Sequence, residues 1–563
     1  MDEQHYLDDL RKRREVNWPK HLPKEAYYPF GKKFLTDYLE EHAHRTPNKA
    51  STIFYGRELT FAELNEKSSR FATYLSEIGI KKGDRIAVYM PNCPQFIIAF
   101  YAILKIGAIH VPVNPMFKEK ELHYELTDCD AQVIVTLDQF LPLINQVKDR
   151  TTLHTIIATS LSDYLPENPT LPIPDGMTQK VQHTEIDFEQ VIASSSSTYP
   201  HVDRSLDDIA ALNYTGGTTG LPKGCMHTQG DMVYTAATST TFGLSHKGDQ
   251  VTLNYLPIFW IAGEDAGVIN PIFTGHTQVL MTRWDTETFI QAVEKYRITS
   301  TSAITDNLVA VMNEAEGRDL SSFKTTLGVS FVKKINVEYR KRWYELTGTV
   351  LKEASYGMTE THTMDSFTDG QQEQDADLDR PGFVGFPMPG TEIKILDFDT
   401  GALLPIGTEG EIAIRTPSLM KGYWNNEEKT AQDLVDGWLK TGDIGLINEK
   451  GQFYFLGRKK EMLKVNGMSV FPAEIEVIVT NHAGVAVCGV IGIEDEQKGE
   501  LPVAAVVLEK ETTVQELEAY CKENMASYKR PRIVIMKSVP MTATGKVKKP
   551  ELKEEIEHGN LLA

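Results

Sequence analysis

A chain of 563 residues exceeds what one compact core supports, because single hydrophobic cores stop growing near ~250–300 residues; two or more domains are expected. With 41% hydrophobic and 24% charged residues, 40 Gly and 27 Pro, the composition excludes disordered, collagen-like and coiled-coil chains. Lys and Arg number 58 against 78 Asp and Glu, and the formal net charge of -20 argues against a protein that coats nucleic acid or anionic lipid, so any anionic ligand must be held by local groups.

Residues 1–20 are dense in Asp, Glu, Lys and Arg, where a signal peptide needs an apolar core. Leu35, Tyr38 and Leu39 have helical spacing, Ala50–Phe54 reads as a strand, and Tyr55-Gly56 as a turn. A second amphipathic helix starts at Thr60, whose spacing to Glu63 is that of a capping box. Residues 84–90 read as a buried strand, 91–106 as a helix and 109–113 as another strand. Strands alternating with helices imply parallel α/β layers. The apolar run 96–109 is interrupted by Lys105 and falls short of the ~20 residues of a spanning helix, so it reads as a buried helix and no transmembrane segment is expected. Residues 164–205, with serines at 194–197, read as an exposed connection, and the acidic stretch 371–379 as a solvated loop.

After about residue 391 short strands with Gly and Pro turns suggest a smaller β unit: 392–396, 410–415 and 451–456. Beyond Lys459-Lys460-Glu461 a last stretch has its own strands, 486–491 and 503–508, and a helix from Val514. A domain boundary is therefore expected there, dividing the chain into 1–459 and 460–563. Cys93, Cys129, Cys225, Cys488 and Cys521 are scattered, odd in number and without CxxC spacing, which argues against a disulfide framework or structural zinc and for a reducing cytoplasm.

The most informative segment is Tyr214-Thr215-Gly216-Gly217-Thr218-Thr219-Gly220-Leu221-Pro222-Lys223-Gly224. Glycines let backbone N–H groups converge on an anion, while Thr hydroxyls and a Lys add donors, so the segment is built to hold phosphate. It is not a Walker loop, since Lys223 follows Pro222 and precedes no Ser or Thr. Lys546 ends a second Gly-Lys pair, Gly545-Lys546.

These residues resemble the adenylate-forming superfamily of acyl-CoA synthetases, luciferases and peptide-synthetase adenylation domains. The resemblance runs from Leu59 to Lys546 through six motifs in one order: 214–224, Tyr356-Gly357-Met358-Thr359-Glu360, 438–445, 457–461, 466–476 and Gly545-Lys546. It implies an α/β fold, with a large N-terminal domain of layered sheets, a small β-barrel-like subdomain and a small mobile α+β C-terminal domain. It also implies a reaction in which a carboxylic acid attacks the α-phosphate of MgATP, releasing pyrophosphate, and CoA then displaces AMP. Such chemistry needs cations and N–H donors more than a protein nucleophile.

By this resemblance Thr215, Gly216, Gly217, Thr218, Thr219, Gly220 and Lys223 cradle the β- and γ-phosphates. Glu360 holds Mg²⁺, Thr359 contacts the α-phosphate, and Tyr356, with Gly357 and Met358, lies against adenine. Asp443 accepts the ribose hydroxyls and Arg458 donates to the same sugar. Lys546 bridges the carboxylate and the α-phosphate. Rotation of the C-terminal domain about Lys460 then replaces Lys546 with the loop carrying Lys464 and Gly467 for thioester formation; a solvated basic turn at Lys459-Lys460 is an equal reading of those residues. Tyr528-Lys529-Arg530-Pro531 matches a segment near the CoA entrance. A homodimer and peripheral membrane contact are both compatible with the resemblance; a nucleic-acid partner is not expected.

Three positions depart from the family; the first keeps the backbone cradle and should matter little, the second bears on the acyl group and the third on adenine. Gly216 stands where Ser is common, Trp260 where many acyl-CoA synthetases have His, and Phe331-Val332-Lys333-Lys334 where the family has Gly-Gly-Ala-Pro beside adenine. Trp260 reads equally as an acyl-pocket residue or as a packed core side chain. No Asp follows Phe259 to pair an α-ammonium group, which disfavours amino acids. The apolar stretch 258–262 suits a medium- to long-chain fatty acid, with aryl acids (cinnamate or benzoate type) as the alternative, and a non-catalytic AMP- or acyl-binding homologue as a third reading that Thr218, Glu360 and Lys546 together oppose.

Overall fold

The computed structural model describes all residues except 1, 216–220, 245–248, 331, 332, 334, 354, 355, 372–381, 467, 496, 497, 543, 544 and 560–563. Two seven-stranded sheets form the bulk of the chain. In one, strands Ile186–Asp187, Thr155–Thr159, Val133–Leu137, Arg85–Tyr89, Ile109–Pro112 and Ile209–Tyr214 run parallel, and Gly224–Thr228 closes the edge antiparallel. In the other, Leu351–Glu353, Thr325–Val329, Ser300–Ile304, Val251–Asn254, Thr277–Leu280 and Ala50–Phe54 are parallel, with Arg57–Thr60 returning as a hairpin. Strands such as Arg85–Tyr89 and Val133–Leu137 carry near-continuous apolar runs, as parallel strands covered on both faces do.

Helix Pro94–Lys105 starts three residues later than the sequence suggests, because Pro94 supplies the fixed φ and missing N–H that suit a first turn. All 12 of its residues are buried. Lys105, the charge that interrupts the apolar run, places Nζ 3.0 and 2.7 Å from Asn65 O and Oδ1 and 3.0 and 2.8 Å from the Ser68 and Ser69 hydroxyls. Burial pulls its pKa down to about 7. Those oxygens come from helix Phe61–Glu77, which begins with the expected capping box: Glu63 N–H donates to Thr60 Oγ1 (3.1 Å) and Thr60 N–H to the Glu63 carboxylate (2.9 Å). Among the described residues no helix is long and apolar enough to cross a membrane.

The 164–205 interval differs from the expected exposed connection. Helix Phe188–Ser194 forms within it, and Leu171, Met177, Phe188, Val191 and Ile192 are buried in the main core. Phe188, Val191 and Ile192 have helical spacing, but over a single short helix beside a Pro- and Ser-rich run, whereas Leu171 and Met177 follow no period. Most of the 371–379 stretch lies outside the described residues; Gln371 itself is buried and accepts from Gln452 at 3.1 Å.

A third, antiparallel sheet orders Ser366–Phe367, Phe383–Pro387, Phe453–Arg458, Trp438–Ile447, Gly410–Arg415 and Glu392–Leu396, so it starts earlier in sequence than residue 391. Helix Glu3–Asn17 packs Tyr6, Leu7 and Leu10 against Ile393, Ile395 and Ile412 of this sheet. A fourth sheet contains Met468–Val470, Leu463–Val465, Gly499–Leu508 and Val485–Asp495, with Arg532–Met536 parallel to Gly499–Leu508. All five cysteines are unpaired and buried.

Candidate functional site

The phosphate-loop motif joins two strands of the mostly parallel sheet. Strands Ile209–Tyr214 and Gly224–Thr228 pair Tyr214 with Gly224, and Thr215 N–H donates to Lys223 O at 2.9 Å, so the loop is pinched shut at its base. Gly224 lets the Tyr214 ring lie close, since a Cβ there would be crowded at 3.1 Å. Helix Glu119–Asp128 braces the base at two points: its Tyr124 O–H donates to Pro222 O (2.9 Å), and its Asp128 Oδ2 accepts from Tyr214 O–H (2.6 Å). Thr215 Oγ1 is buried with no hydrogen-bond partner among the described residues, an orphan donor suited to a phosphate oxygen. Gly216, Gly217, Thr218, Thr219 and Gly220 lie outside the described residues.

Asp443 and Arg458 come together by strand register: Trp438–Ile447 and Phe453–Arg458 are antiparallel, with Asp443 directly opposite Arg458. Arg458 Nε stands 2.9 Å from Asp443 Oδ1 as an ion pair. Tyr356 O–H donates to Asp443 Oδ2 at 2.5 Å. Burial pushes the Asp443 pKa up to about 6, against the pull of Arg458, the Tyr356 O–H and Lys546; Glu360 adds to the rise. Burial, reinforced by Asp443, holds the Tyr356 phenol well above its ordinary range, so it remains a donor. Asp443 Oδ1 has no aligned hydrogen bond among the described residues, leaving acceptor capacity for a hydroxyl. Tyr356 itself is buried against Phe453 and Phe455, and is committed to Asp443.

Thr359 and Glu360 occupy the single 3₁₀ turn Thr359–Thr361. Gly357 permits its tight entry, since a Cβ would lie 1.0 Å from Thr363 O. Glu360 Oε1 is 3.0 Å from Tyr423 Oη, which also lies 3.1 Å from Asp433 Oδ2. With one proton, the phenol donates to one carboxylate at a time. Lys223 Nζ sits 4.8 Å from the centroid of the same Tyr423 ring, within cation–π range. Tyr423 therefore links Lys223 to Glu360. Met358 packs beside Tyr356 and Trp438.

Lys546 stands on a turn closed by Thr542 N–H to Lys546 O (2.7 Å) and Lys546 N–H to Thr542 Oγ1 (3.0 Å), with Gly545 at φ +78°. Its charge reaches Asp443, whose acidity it raises. Lys464 lies on strand Leu463–Val465, where its N–H donates to Glu500 Oε2 at 2.6 Å; Gly467 lies outside the described residues. Lys460 sits between two anchored neighbours: Lys459 Nζ reaches Phe398 O (3.0 Å) and Glu411 Oε2 (2.8 Å), while Glu461 Oε2 meets Lys549 Nζ at 2.6 Å. Burial and Arg458 draw the Lys460 ammonium below its ordinary pKa. Lys529 is paired with both oxygens of Glu474, at 2.6 and 2.7 Å, while Arg530 donates to Met525 O (3.3 Å) and Lys522 O (3.2 Å).

Trp260 is half-buried, packs on the main core and meets Phe259 edge to face at 5.4 Å. It precedes helix Ile261–Glu264, and Gly263 lies so close to Pro257 O that a Cβ would sit at 1.9 Å. Of the segment that departs from the family pattern, Phe331, Val332 and Lys334 lie outside the described residues; Lys333 Nζ is 3.2 Å from Glu509. Sequence reading passed over Tyr423, Tyr124 and Asp128. Each is one of a common residue type with no local motif, and each acquires its role through long-range packing.

Known proteins place this arrangement. The model of the AMP-binding enzyme matches residues 39–424, and that of the AMP-binding enzyme C-terminal domain residues 474–546. The long-chain-fatty-acid–CoA ligase of Bacillus subtilis (strain 168) is 34% identical over 558 residues, covering 96% of this chain and 97% of that protein. 4-Coumarate–CoA ligase 1 of Solanum tuberosum is 29% identical over 559 residues, covering 97% and 96%. Among solved structures, the anthranilate CoA ligase AuaEII in complex with anthranoyl-AMP superposes with a TM-score of 0.81 at 27% identity, covering 96% of this chain and 99% of that one. The o-succinylbenzoate CoA synthetase (MenE) of Bacillus subtilis, in complex with ATP and magnesium ion, gives 0.76 at 26%, covering 92% and 99%. By motif order, fold and coverage, the chain belongs to the AMP-binding enzyme family.

Proposed function

We propose that the protein is an ATP-dependent acyl-CoA ligase that activates a medium- to long-chain fatty acid as acyl-AMP, releasing pyrophosphate, and then transfers the acyl group to CoA. One observation carries the reading: Asp443, in register with Arg458 and bonded by Tyr356, feels the charges of both Glu360 and Lys546. A ribose-accepting carboxylate, a metal-binding carboxylate and a mobile cation thus share one electrostatic neighbourhood, opposite ends of a nucleotide's sugar and phosphates.

Asp443 and Arg458 hold the ribose. Thr215, Lys223 and the loop between them hold the β- and γ-phosphates. Glu360 is the carboxylate for Mg²⁺, and the donor set fits: among the described residues no cluster of three His, Cys, Asp or Glu forms a protein cage, and Mg²⁺ is commonly held by one or two carboxylates plus substrate phosphates. When bound, the ion neutralises phosphate charge. Lys546 offsets the charge that builds as the acid's oxygen approaches the α-phosphorus. Residues 1–459 form the adenylation domain and 460–563 the mobile domain, pivoting at Lys460 between anchored Lys459 and Glu461. The five buried, unpaired cysteines support a cytoplasmic location.

Pyrophosphate and AMP release from MgATP over C4, C8, C12 and C16 acids, with and without CoA, tests this reading. Each methylene buried contributes about 0.8 kcal/mol, so kcat/KM should rise with chain length. ADP as main product overturns the reaction class. An aryl acid is the second reading, favoured by the aromatic pair Phe259 and Trp260; a flat alkyl series with a cinnamate fastest would select it.

A further inference from the structure

We infer that His227, oriented by Asp231, is a positioning residue that ties the turn bearing Thr359 and Glu360 to the strand leaving the phosphate loop. The inference rests on the functional reading above, and concerns how this chain holds those two groups in place.

The turn needs holding. Thr359–Thr361 is one 3₁₀ turn, and the two residues after it, His362 (φ 55°) and Thr363 (φ 77°), are both left-handed without being glycine. Such conformations are strained and persist only where surroundings over-determine them. Four successive carbonyls are accordingly held from outside the turn. Thr359 O accepts from His227 Nε2 (2.6 Å), Glu360 O from Met420 N–H (2.9 Å), Thr361 O from Ser418 Oγ (2.7 Å) and His362 O from Thr235 Oγ1 (3.0 Å).

The His227 contact is the shortest of the four, and it alone comes from the strand Gly224–Thr228 that begins next to Lys223. A carbonyl oxygen only accepts, so Nε2 carries the hydrogen and the imidazole is the donor. The other ring nitrogen, Nδ1, makes no hydrogen bond among the described residues; Asp231 Oδ2 stands 3.7 Å from it and orients the ring by charge when Nδ1 also carries a proton. Asp231 is itself fixed: its Oδ2 accepts from Thr228 N–H at 2.8 Å, its N–H donates to Thr228 Oγ1 at 3.1 Å, and Lys421 Nζ stands 3.4 Å from Oδ1. Burial pushes the Asp231 carboxyl up, but His227, the Thr228 N–H and Lys421 outweigh it and hold the group below the ordinary carboxylate range. His362 meets the His227 ring edge to face at 4.9 Å; burial and His227 bring its pKa down to about 3, so it packs as a neutral wall.

The result is a chain of contacts from Asp231 through His227 to the peptide of Thr359 and Glu360. It sets the distance between the groups assigned to the α-phosphate and Mg²⁺ and the loop assigned to the terminal phosphates. In-line phosphoryl chemistry is sensitive to that spacing, because its catalysis is mostly positioning and charge stabilisation.

The test compares His227→Phe and His227→Leu, which lose the donor, with His227→Gln, whose amide nitrogen reaches for the same carbonyl. AMP formation, KM for the acid and Tm are measured for each. Loss of one such donor should lower kcat roughly tenfold or more in the Phe and Leu variants, with KM for the acid unchanged and Tm close to wild type. His227→Gln should recover to within about threefold of wild type. A Phe variant as fast as wild type overturns the inference, and so does a Gln variant as slow as Phe, which would make ring packing the cause. Should the Phe and Leu variants not fold, Asp231→Asn decides: it keeps the cap on Thr228 N–H and loses the charge facing Nδ1. A kcat lowered about threefold or more supports the inference, and an unchanged one overturns it. A wild type that forms no AMP overturns the functional reading together with this inference, whereas an active wild type beside an unimpaired Phe variant overturns the inference alone.

Discussion

Replacing Asp443 by Asn separates what its charge does for folding from what it does for nucleotide. Burial raises its pKa from the ordinary 3.8 to about 6 in the folded chain. A carboxyl raised in this way contributes its stability in full below the unfolded pKa and loses it as pH rises through about 6. A rise of ~2 units corresponds to ~3 kcal/mol, so between pH 4 and pH 8 the ligand-free wild type should lose stability from this group that Asp443→Asn does not lose. Tyr356 O–H can still donate to the Asn carbonyl, and Arg458, 44% exposed, can turn to water. The variant's Tm at pH 8 should therefore equal or exceed wild type.

ATP use should move the other way. Two ribose hydroxyls bonded to a carboxylate are worth about 1.5–3 kcal/mol each, and the neutral amide retains part of this. A loss of ~3–4 kcal/mol, or roughly 10²–10³ in kcat/KM for ATP, is expected. In wild type that parameter should fall as pH drops through about 6, because the protonated acid accepts fewer hydrogen bonds. Steady-state kinetics against ATP from pH 5 to 8 and thermal unfolding over the same range measure both effects. A variant within about threefold of wild type for ATP, or a Tm that falls at pH 8, refutes the reasoning.

Lys546→Ala should lower acyl-adenylate formation by ~10² or more, the scale of one charged transition-state donor, while thioester formation from supplied acyl-AMP survives; equal loss of both, read by separate half-reaction assays, would count against a role confined to adenylation. Lys460→Pro fixes φ at about -65° and removes an N–H between Lys459, held by Glu411, and Glu461, held by Lys549. It should impair one half-reaction far more than the other, and unchanged overall turnover would remove the pivot from residue 460.

Much of the candidate site was legible in the sequence because its groups lie in short local motifs. The 214–224 loop, the Tyr356 to Glu360 run and Gly545-Lys546 each place donors and glycines within a few residues, and backbone geometry acts over that range. The capping box at Thr60 and the burial of residues 96–105 follow from local pattern in the same way. The 164–205 interval misled because Leu171, Met177 and Phe188 are spaced by turns rather than by a helical or strand period.

Sequence alone determined the fold class, the family resemblance and the residue types of the candidate site, since periodicity, glycine placement and motif order are local properties of the chain. Tertiary structure decided which of those residues meet. Only strand register sets Asp443 opposite Arg458, only packing brings Tyr423 between Lys223 and Glu360, and only the crossing of a strand and a distant turn puts His227 on Thr359 O. Such contacts act over a few ångströms of space, whereas the residues they join here stand 15 to 200 positions apart in the chain.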